Sequence, residues 1–231
     1  MIDVLHHKLE RLYKPSLFEY KSNGGMLCID EHDSIAKVKK ASIIYHGQLV
    51  IVDNSLLKEC HNIYENNTAR CPELKHDCDG ILLIKYRNKK YFVLVELKSK
   101  YTEDNITKAE KQLAASFVRV LSRLSCVDGF NADEYIKCGI IVSYAPDTYE
   151  LRKTSQKRGQ NKSALSRFDR QMRAFSKDKG CFELDKLFVR LGDLPLRRDL
   201  MFNKLPVFHV NVDEGADSVR FDINDILKEI S

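Results

Sequence analysis

The chain has 231 residues, of which 43% are hydrophobic and 31% are charged, and its formal net charge is +5. This hydrophobic content is enough for a buried core and argues against general disorder. No apolar run approaches the roughly 18 residues of a membrane span, and charges throughout the first twenty residues exclude a secretory signal. We therefore expect a cytoplasmic protein with no membrane partner, whose seven cysteines are reduced thiols.

The N-terminal part of the chain predicts one helix followed by strands. Residues 1–22 begin with a short amphipathic helix that ends at a turn over 14–16, and the glycine-rich break at 23–25 follows. Strands are predicted over 26–30 and over 41–52, the second interrupted by a turn at 46–48. Asp53 or Asn54 is expected to cap a helix that runs to about residue 66.

The central part predicts alternating strands and helices. Residues 81–86 form a strand, 87–90 a polar turn, and 91–98 a strand that is apolar on both faces. Apolar residues at helical spacing predict a long helix that begins at Asp104 or Asn105 and runs through Ser125, and 135–144 is a further strand. The order helix, two strands, helix, strand indicates an α/β layer, with an earlier strand completing the sheet.

The C-terminal part is less regular. A basic run covers 152–179, residues 182–190 are helix or strand, 207–212 are strand-like, and 224–230 predict a closing helix. We expect one domain over residues 1–231, with a core at about 54–146, a basic segment at about 151–180 and a C-terminal extension over 181–231.

Three charged residues lie at the ends of the two central strands. Asp79 precedes the first strand, and Glu96 and Lys98 end the second, after a spacer of sixteen residues (80–95). Glu96 and Lys98 are two apart on a strand, so their side chains leave on the same face. Two carboxylates on adjacent strands offer Mg²⁺ its preferred oxygen ligands, and a lysine beside them can hold a water and offset charge on phosphate. The pattern predicts phosphodiester hydrolysis.

These residues resemble the motif of the PD-(D/E)xK nuclease superfamily, which reads here as Asp79, then Glu96-Leu97-Lys98. The resemblance covers residues 54–146. It implies a restriction-endonuclease-like αβββαβ core with a mixed central sheet flanked by helices, and a C-terminal extension lies beyond it. It implies a Mg²⁺-dependent nuclease, with Mn²⁺ as a substitute and DNA favoured over RNA. A stand-alone restriction or phage-defence nuclease is the expected setting, as a homodimer or with a partner subunit of a defence system.

The resemblance also implies roles for further residues. The carbonyl of Leu97 would join Asp79 and Glu96 around the metal. A further acid would add to them, with Glu59 on the preceding helix as the first candidate and Glu73 in the loop as the second. Gln112, on the helix after the Glu-x-Lys strand, would join the catalytic residues.

Nucleic acid is the expected partner, because the basic run can neutralise backbone phosphates. Arg152, Lys153, Lys157 and Arg158 are the predicted contacts in this run, although a solvated surface would have the same composition. Gln112, Ser116, Arg119 and Arg123 share one helix flank. That flank faces either nucleic acid, with Arg119 and Arg123 as contacts, or water.

Other interpretations of the sequence remain open. Cys60, His61, Cys71, His76 and Cys78 cluster ahead of Asp79, but their spacing does not match a zinc knuckle, and ordinary thiols are the better account. A catalytically inactive nucleic-acid-binding module on the same fold is one alternative function. A protein-binding adaptor or inhibitor is another, and a large exposed apolar patch would be its sign.

Overall fold

The structure of the protein is a computed structural model that describes residues 2–58, 76–147, 149, 182–187 and 205–230. The helices are α1 (Ile2–Leu12), α2 (Ser55–Lys58), α3 (Glu103–Leu124) and α4 (Ile223–Glu229). The strands are β1 (Phe18–Lys21), β2 (Gly25–Asp30), β3 (Lys40–Tyr45), β4 (Gln48–Val52), β5 (Gly80–Tyr86), β6 (Lys89–Lys98), β7 (Tyr135–Tyr144), β8 (Phe182–Leu187), β9 (Leu205–Val212) and β10 (Ser218–Asp222). Within the described residues, no helix has the length and apolar character needed to cross a membrane.

The central feature is a mixed seven-stranded sheet with the order β1-β4-β5-β6-β7-β9-β8. Strands β1, β4, β5 and β6 are antiparallel neighbours, whereas β6, β7 and β9 run parallel. The connection from β6 to β7 passes through α3, as a parallel pair requires. The predicted α/β fold with a mixed central sheet is confirmed, and β4 is the earlier strand that completes it.

A second sheet has three strands in the order β10-β3-β2. The turn after Tyr45 therefore does more than interrupt one strand, because β3 belongs to this small sheet and β4 to the large one. β10 pairs with β3 in parallel, with Ser218 opposite Lys40. Neither this strand nor β1 has a clear sequence signal, since both are short and rich in polar residues.

Two apolar cores cover the two faces of the large sheet. On β6, Phe92 and Leu94 pack with α1 and α3, while Tyr91, Val93 and Val95 pack towards the small sheet and α4. All five side chains are buried, which confirms the prediction of a strand covered on both faces. A charged side chain would be shielded from solvent along most of the length of such a strand.

Several predicted element ends change in the structure. The helix α3 begins at Glu103, next to the predicted start at Asp104 or Asn105, and its cap is Thr102, whose hydroxyl accepts from the Asn105 N–H (3.4 Å). Thr102 takes this position because its backbone is extended there. Residues 182–187, which the sequence left open between helix and strand, form a strand. The predicted helix after Asp53 is described as far as Lys58, and its continuation lies outside the described residues.

The turn between the two sheets generates a stability prediction. Gly47 has φ of +95°, and a Cβ there would overlap the backbone carbonyl oxygen of Lys85, whereas Gly215 has φ of +87° in open space. Both Gly→Ala changes carry the left-handed penalty of roughly 1–2 kcal/mol. Gly47→Ala should lower the free energy of unfolding further, by roughly 3 kcal/mol in all. Urea unfolding of the two variants measures the difference, and equal losses would contradict the overlap.

Candidate active site

The structure brings Asp79, Glu96 and Lys98 together at one end of the β5–β6 hairpin. Gly80 pairs with Val95, so Asp79 lies next to Glu96 along the same two strands. The Leu97 N–H donates to Oδ2 of Asp79 (2.7 Å), and Nζ of Lys98 forms an ion pair with Oε1 of Glu96. The two strands are thus joined by a carboxylate at the point where their backbone pairing ends.

Glu96 is buried without full compensation of its charge. Its side chain is completely buried, and Oε2 has no hydrogen-bond partner among the described residues. Burial raises the pKa of the Glu96 carboxyl well above its usual range, the nearby Asp79 raises it further, and Lys98 opposes both. An unbonded carboxylate oxygen in a dry site is unfavourable, and a cation would remove that penalty.

Asp79 is also a largely buried carboxylate, and burial disfavours its charged form less strongly than that of Glu96. Burial raises the pKa of its carboxyl to about 6, and the charge of Glu31 acts in the same direction. The hydrogen bond from Leu97 and the charges of Lys98 and His32 lower it. The site therefore concentrates negative charge in a poorly solvated place, which is the donor chemistry that suits a hard divalent cation.

Glu31 is a neighbour that the sequence interpretation missed. It follows β2, and it approaches β5 because the Ile29 side chain fills the space where a Cβ on Gly80 would lie. The sequence signal was weak: Glu31 is an acid at the end of a predicted strand, but β2 belongs to the other sheet. No local pattern pairs it with β5.

The backbone that leads into Asp79 is held by the flank of α3. The Gln112 Nε2 donates to the Asp77 carbonyl oxygen (2.7 Å), and the Ser116 hydroxyl accepts from the Cys78 N–H (2.8 Å). The Arg119 guanidinium forms an ion pair with Asp77. Residues 76–78 are therefore fixed by three side chains of one helix.

This arrangement corrects the prediction that Arg119 contacts nucleic acid. Arg119 is completely buried, and it also donates to the carbonyl oxygen of His76, so it cannot reach a phosphate. The flank faces neither water nor nucleic acid at this position. Gln112 uses its amide nitrogen on the same segment, which makes it a positioning residue in this structure, and its catalytic role stays a prediction.

From the other side, Asn54 holds the same backbone. Its Nδ2 donates to the carbonyl oxygens of Cys78 (3.0 Å) and Asp79 (3.1 Å). Asn54 follows β4, so the neighbouring strand also contributes to placing the carboxylate. The position of Asp79 is consequently set by groups from β4, β6 and α3.

The carbonyl of Leu97 lies on the correct side for its predicted role. The N–H of this residue points to Asp79, and the N–H and C=O of one strand residue point to the same side. Because β5 begins only at Gly80, this carbonyl lies beyond the paired part of β5. Its service as a metal ligand stays a prediction.

The remaining predicted site residues are placed as follows. Glu59 and Glu73 lie outside the described residues, as do Arg152, Lys153, Lys157 and Arg158 with the rest of the basic segment. Arg123 is half-buried, its carbonyl oxygen accepts from the Tyr13 hydroxyl (2.9 Å), and its contact with nucleic acid stays a prediction.

Of the cysteine and histidine cluster, His76 and Cys78 are described. Cys78 is buried, its thiol donates to the Gly80 carbonyl oxygen (3.3 Å), and burial raises the pKa of that thiol strongly. A buried, protonated thiol is a poor metal ligand. A different group, His6, His7 and Glu10 on α1, places three ligand atoms within 4.8 Å of one another. Glu10 lies four residues after His6 and three after His7, so this grouping follows from helical spacing alone.

A buried polar pair lies next to Lys98 in the sheet. Ser143 is opposite Lys98 in the β6–β7 register, and its hydroxyl is 2.8 Å from Nε2 of His209. Both residues are completely buried, and burial lowers the pKa of His209 to about 3, so the imidazole is neutral. Without access for a substrate, this pair serves the packing of β7 against β9.

Comparison with protein-family models, with curated proteins and with solved structures gives no match to this chain. The function is therefore argued from the residues of the site and from their geometry.

The raised pKa of Asp79 predicts a pH-dependent stability. In the unfolded chain an Asp has a pKa of about 3.9, whereas folded Asp79 has a pKa of about 6. As the pH rises between these values, the unfolded state releases its proton first, so the stability contributed by protonated Asp79 is lost by about pH 6. Asp79→Asn does not titrate and can still accept from Leu97.

Relative to wild type, Asp79→Asn should therefore gain about 2–3 kcal/mol of stability between pH 4 and pH 7.5 without metal. Urea unfolding of both proteins in EDTA across this range measures the gain. Other carboxylates titrate alike in both proteins, so their effect cancels when one free energy of unfolding is subtracted from the other. If this difference in the free energy of unfolding does not change with pH, the raised pKa of Asp79 is contradicted.

Proposed function

We propose that this chain is a Mg²⁺-dependent nuclease that hydrolyses phosphodiester bonds in DNA. The observation that carries the proposal is the adjacency of Asp79, Glu96 and Lys98, in which one buried carboxylate oxygen has no hydrogen-bond partner among the described residues. A lysine and two acids in a dry site match the needs of this chemistry, because a cation and an ammonium can both face a phosphate.

Asp79 and Glu96 would hold the cation, and the carbonyl of Leu97 lies on the same side as the Asp79 carboxylate. When bound, the cation supplies Lewis acidity: it lowers the pKa of a water and offsets charge on the phosphate. The residues fit this role because their own charges lie close together with little solvent to screen them. Mn²⁺, which also prefers oxygen ligands, is expected to substitute.

Lys98 supplies the second positive charge of the site. Its side chain is about one-tenth exposed, and its ammonium contacts Glu96 from the same face of β6. From this position it orients the attacking water and donates to a phosphate oxygen as charge develops there. The buried partner Glu96 limits the conformations of the lysine, so the ammonium is already placed when substrate binds.

The substrate side of the proposal rests on the sequence. The basic segment over 152–179 would contact backbone phosphates, which positions nucleic acid without reading its sequence. Cutting both strands of a duplex requires two sites, so a homodimer or a partner subunit of a restriction or phage-defence system is proposed. The proposed location is the cytoplasm.

Removal of Lys98 or the Glu96 carboxylate tests the proposed chemistry. Lys98→Met and Glu96→Gln should each reduce the rate of DNA cleavage by on the order of 100-fold or more, because each removes a charge that acts in the transition state. Initial rates on labelled single- and double-stranded DNA in Mg²⁺ give the measurement.

The matched control is Lys100→Ala, an exposed lysine two residues beyond Lys98, which should cleave at the wild-type rate. Thermal unfolding shows whether the variants are folded. Full cleavage activity in folded Lys98→Met or Glu96→Gln would contradict the proposal that this site carries out the cleavage.

The basic segment leads to a separate prediction about salt. Replacement of Arg152, Lys153, Lys157 and Arg158 by Ala should weaken DNA binding equally for unrelated sequences. It should also reduce the slope of log affinity against log salt concentration by about one unit for each lost phosphate contact. Fluorescence anisotropy over a range of NaCl concentrations, with Ca²⁺ in place of Mg²⁺, measures both. An unchanged slope and affinity would show that the segment is a solvated surface.

A further inference from the structure

The small sheet extends an arm over the start of β5. We define the arm as β2 together with the loop over 31–39. The arm packs closely, since Ile29 occupies the space beside Gly80 that a side chain would need, and the Lys37 N–H donates to the Ser99 hydroxyl (2.6 Å). The arm therefore contacts the first residue of β5, next to Asp79, and the residue just after Lys98.

A cleft of about 530 Å³ lies beside this contact, between the arm, the end of β4 and the segment that leads into β5, and both Glu31 and Asp79 line it. Three other acids line it, Asp30, Asp53 and Asp77, and the last two are already engaged. Asp77 is ion-paired with Arg119, and Asp53 accepts from the Ser55 N–H (2.8 Å). Glu31 uses one oxygen to accept from the Asp33 N–H (2.9 Å), and its second oxygen has no hydrogen bond within the described residues.

The acids of the two elements influence one another. Glu31 raises the pKa of both Asp79 and Glu96, after the larger effect of burial. Independently, the buried Oε2 of Glu96 has no hydrogen-bond partner among the described residues. Glu31 and Asp79 thus face one cleft, next to a buried Glu96 oxygen that has no hydrogen-bond partner among the described residues.

We propose that Glu31 is a third carboxylate ligand of the divalent cation, supplied by the arm of the small sheet. The proposal deepens the proposed nuclease function and rests on it for the identity of the cation. It gives this chain a metal shell whose third acid follows β2, a strand of a sheet separate from the one that contains Glu96 and lies next to Asp79.

A movement of the arm accompanies this role. The ligand oxygens of Glu31, Asp79 and Glu96 do not all lie within 4.8 Å of one another in the described structure. A cation shared by the three acids therefore requires their side chains, together with the end of the arm, to move closer to one another. Binding should consequently restrain the loop over 31–39, which provides a measurement independent of cleavage.

The test uses the full chain with Mn²⁺ alone. Isothermal titration calorimetry compares wild type, Glu31→Gln and Asp33→Asn. Gln keeps the oxygen that accepts from Asp33, and Asp33→Asn removes the same charge from the same loop outside the cleft. Hydrogen exchange of the loop over 31–39, measured by mass spectrometry with and without Mg²⁺, is the second readout. Thermal unfolding without metal checks the fold.

We expect Glu31→Gln to bind Mn²⁺ at least about tenfold more weakly than wild type, because a ligand charge is lost. Asp33→Asn should bind within about twofold of wild type. Mg²⁺ should slow exchange of the loop in wild type and not in Glu31→Gln.

If wild type binds Mn²⁺ and Glu31→Gln binds it equally well, Glu31 is not a ligand, while the proposed function stands. If wild type itself binds no Mn²⁺, both proposals fail together. Should Glu31→Gln not fold, the wild-type exchange experiment still decides, since an unprotected loop at saturating Mg²⁺ overturns the role of the arm.

Discussion

The site depends on the register between β5 and β6, which a two-residue turn sets. Arg87 and Asn88 both have positive φ, and Tyr86 pairs with Lys89, as in the tight hairpins whose twist matches that of their strands. From this turn the pairing continues to Gly80 and Val95, which leaves Asp79 beside Glu96. A slip of one residue would turn Glu96 and Lys98 towards the opposite apolar core. The apolar residues of both strands resist such a slip.

The second requirement is a rigid approach to Asp79. Arg119 is buried on α3, where a guanidinium is tolerated because Asp77 and the His76 carbonyl accept from it. Ser116 and Gln112 satisfy two more backbone groups of the same segment. A charged side chain that the sequence suggested for substrate thus serves to hold a loop. Breaking this network would leave an unpaired charge inside the protein and would displace a carboxylate on which the chemistry depends.

The parts of the site that lie on one hairpin could be predicted from the sequence, and the parts that lie across elements could not. Glu96 and Lys98 share a face because strand periodicity is local, and Asp79 joins them through a short connection. The length of α3 and the bounds of β7 follow equally from periodicity. The places of Glu31 and Arg119 depend on tertiary packing. Glu31 follows a strand of the second sheet. Arg119 is buried, although the charge pattern of its helix flank alone suggests that the flank is exposed. β10 also lacks a signal, because it gains its strand geometry from pairing with β3.

That parallel pairing of β10 with β3 joins residues near the two ends of the described chain, with Ser218 opposite Lys40. During synthesis, β2 and β3 emerge early as an isolated hairpin, which is marginally stable at best in water. Its third strand and the supporting helix α4 follow only after residues 218–229 have been made. The order of translation therefore leaves the small sheet incomplete until β10 has been made, after the strands of the large sheet that the structure describes. Because distant pairings are slow to form, the small sheet should be among the last parts of the molecule to fold.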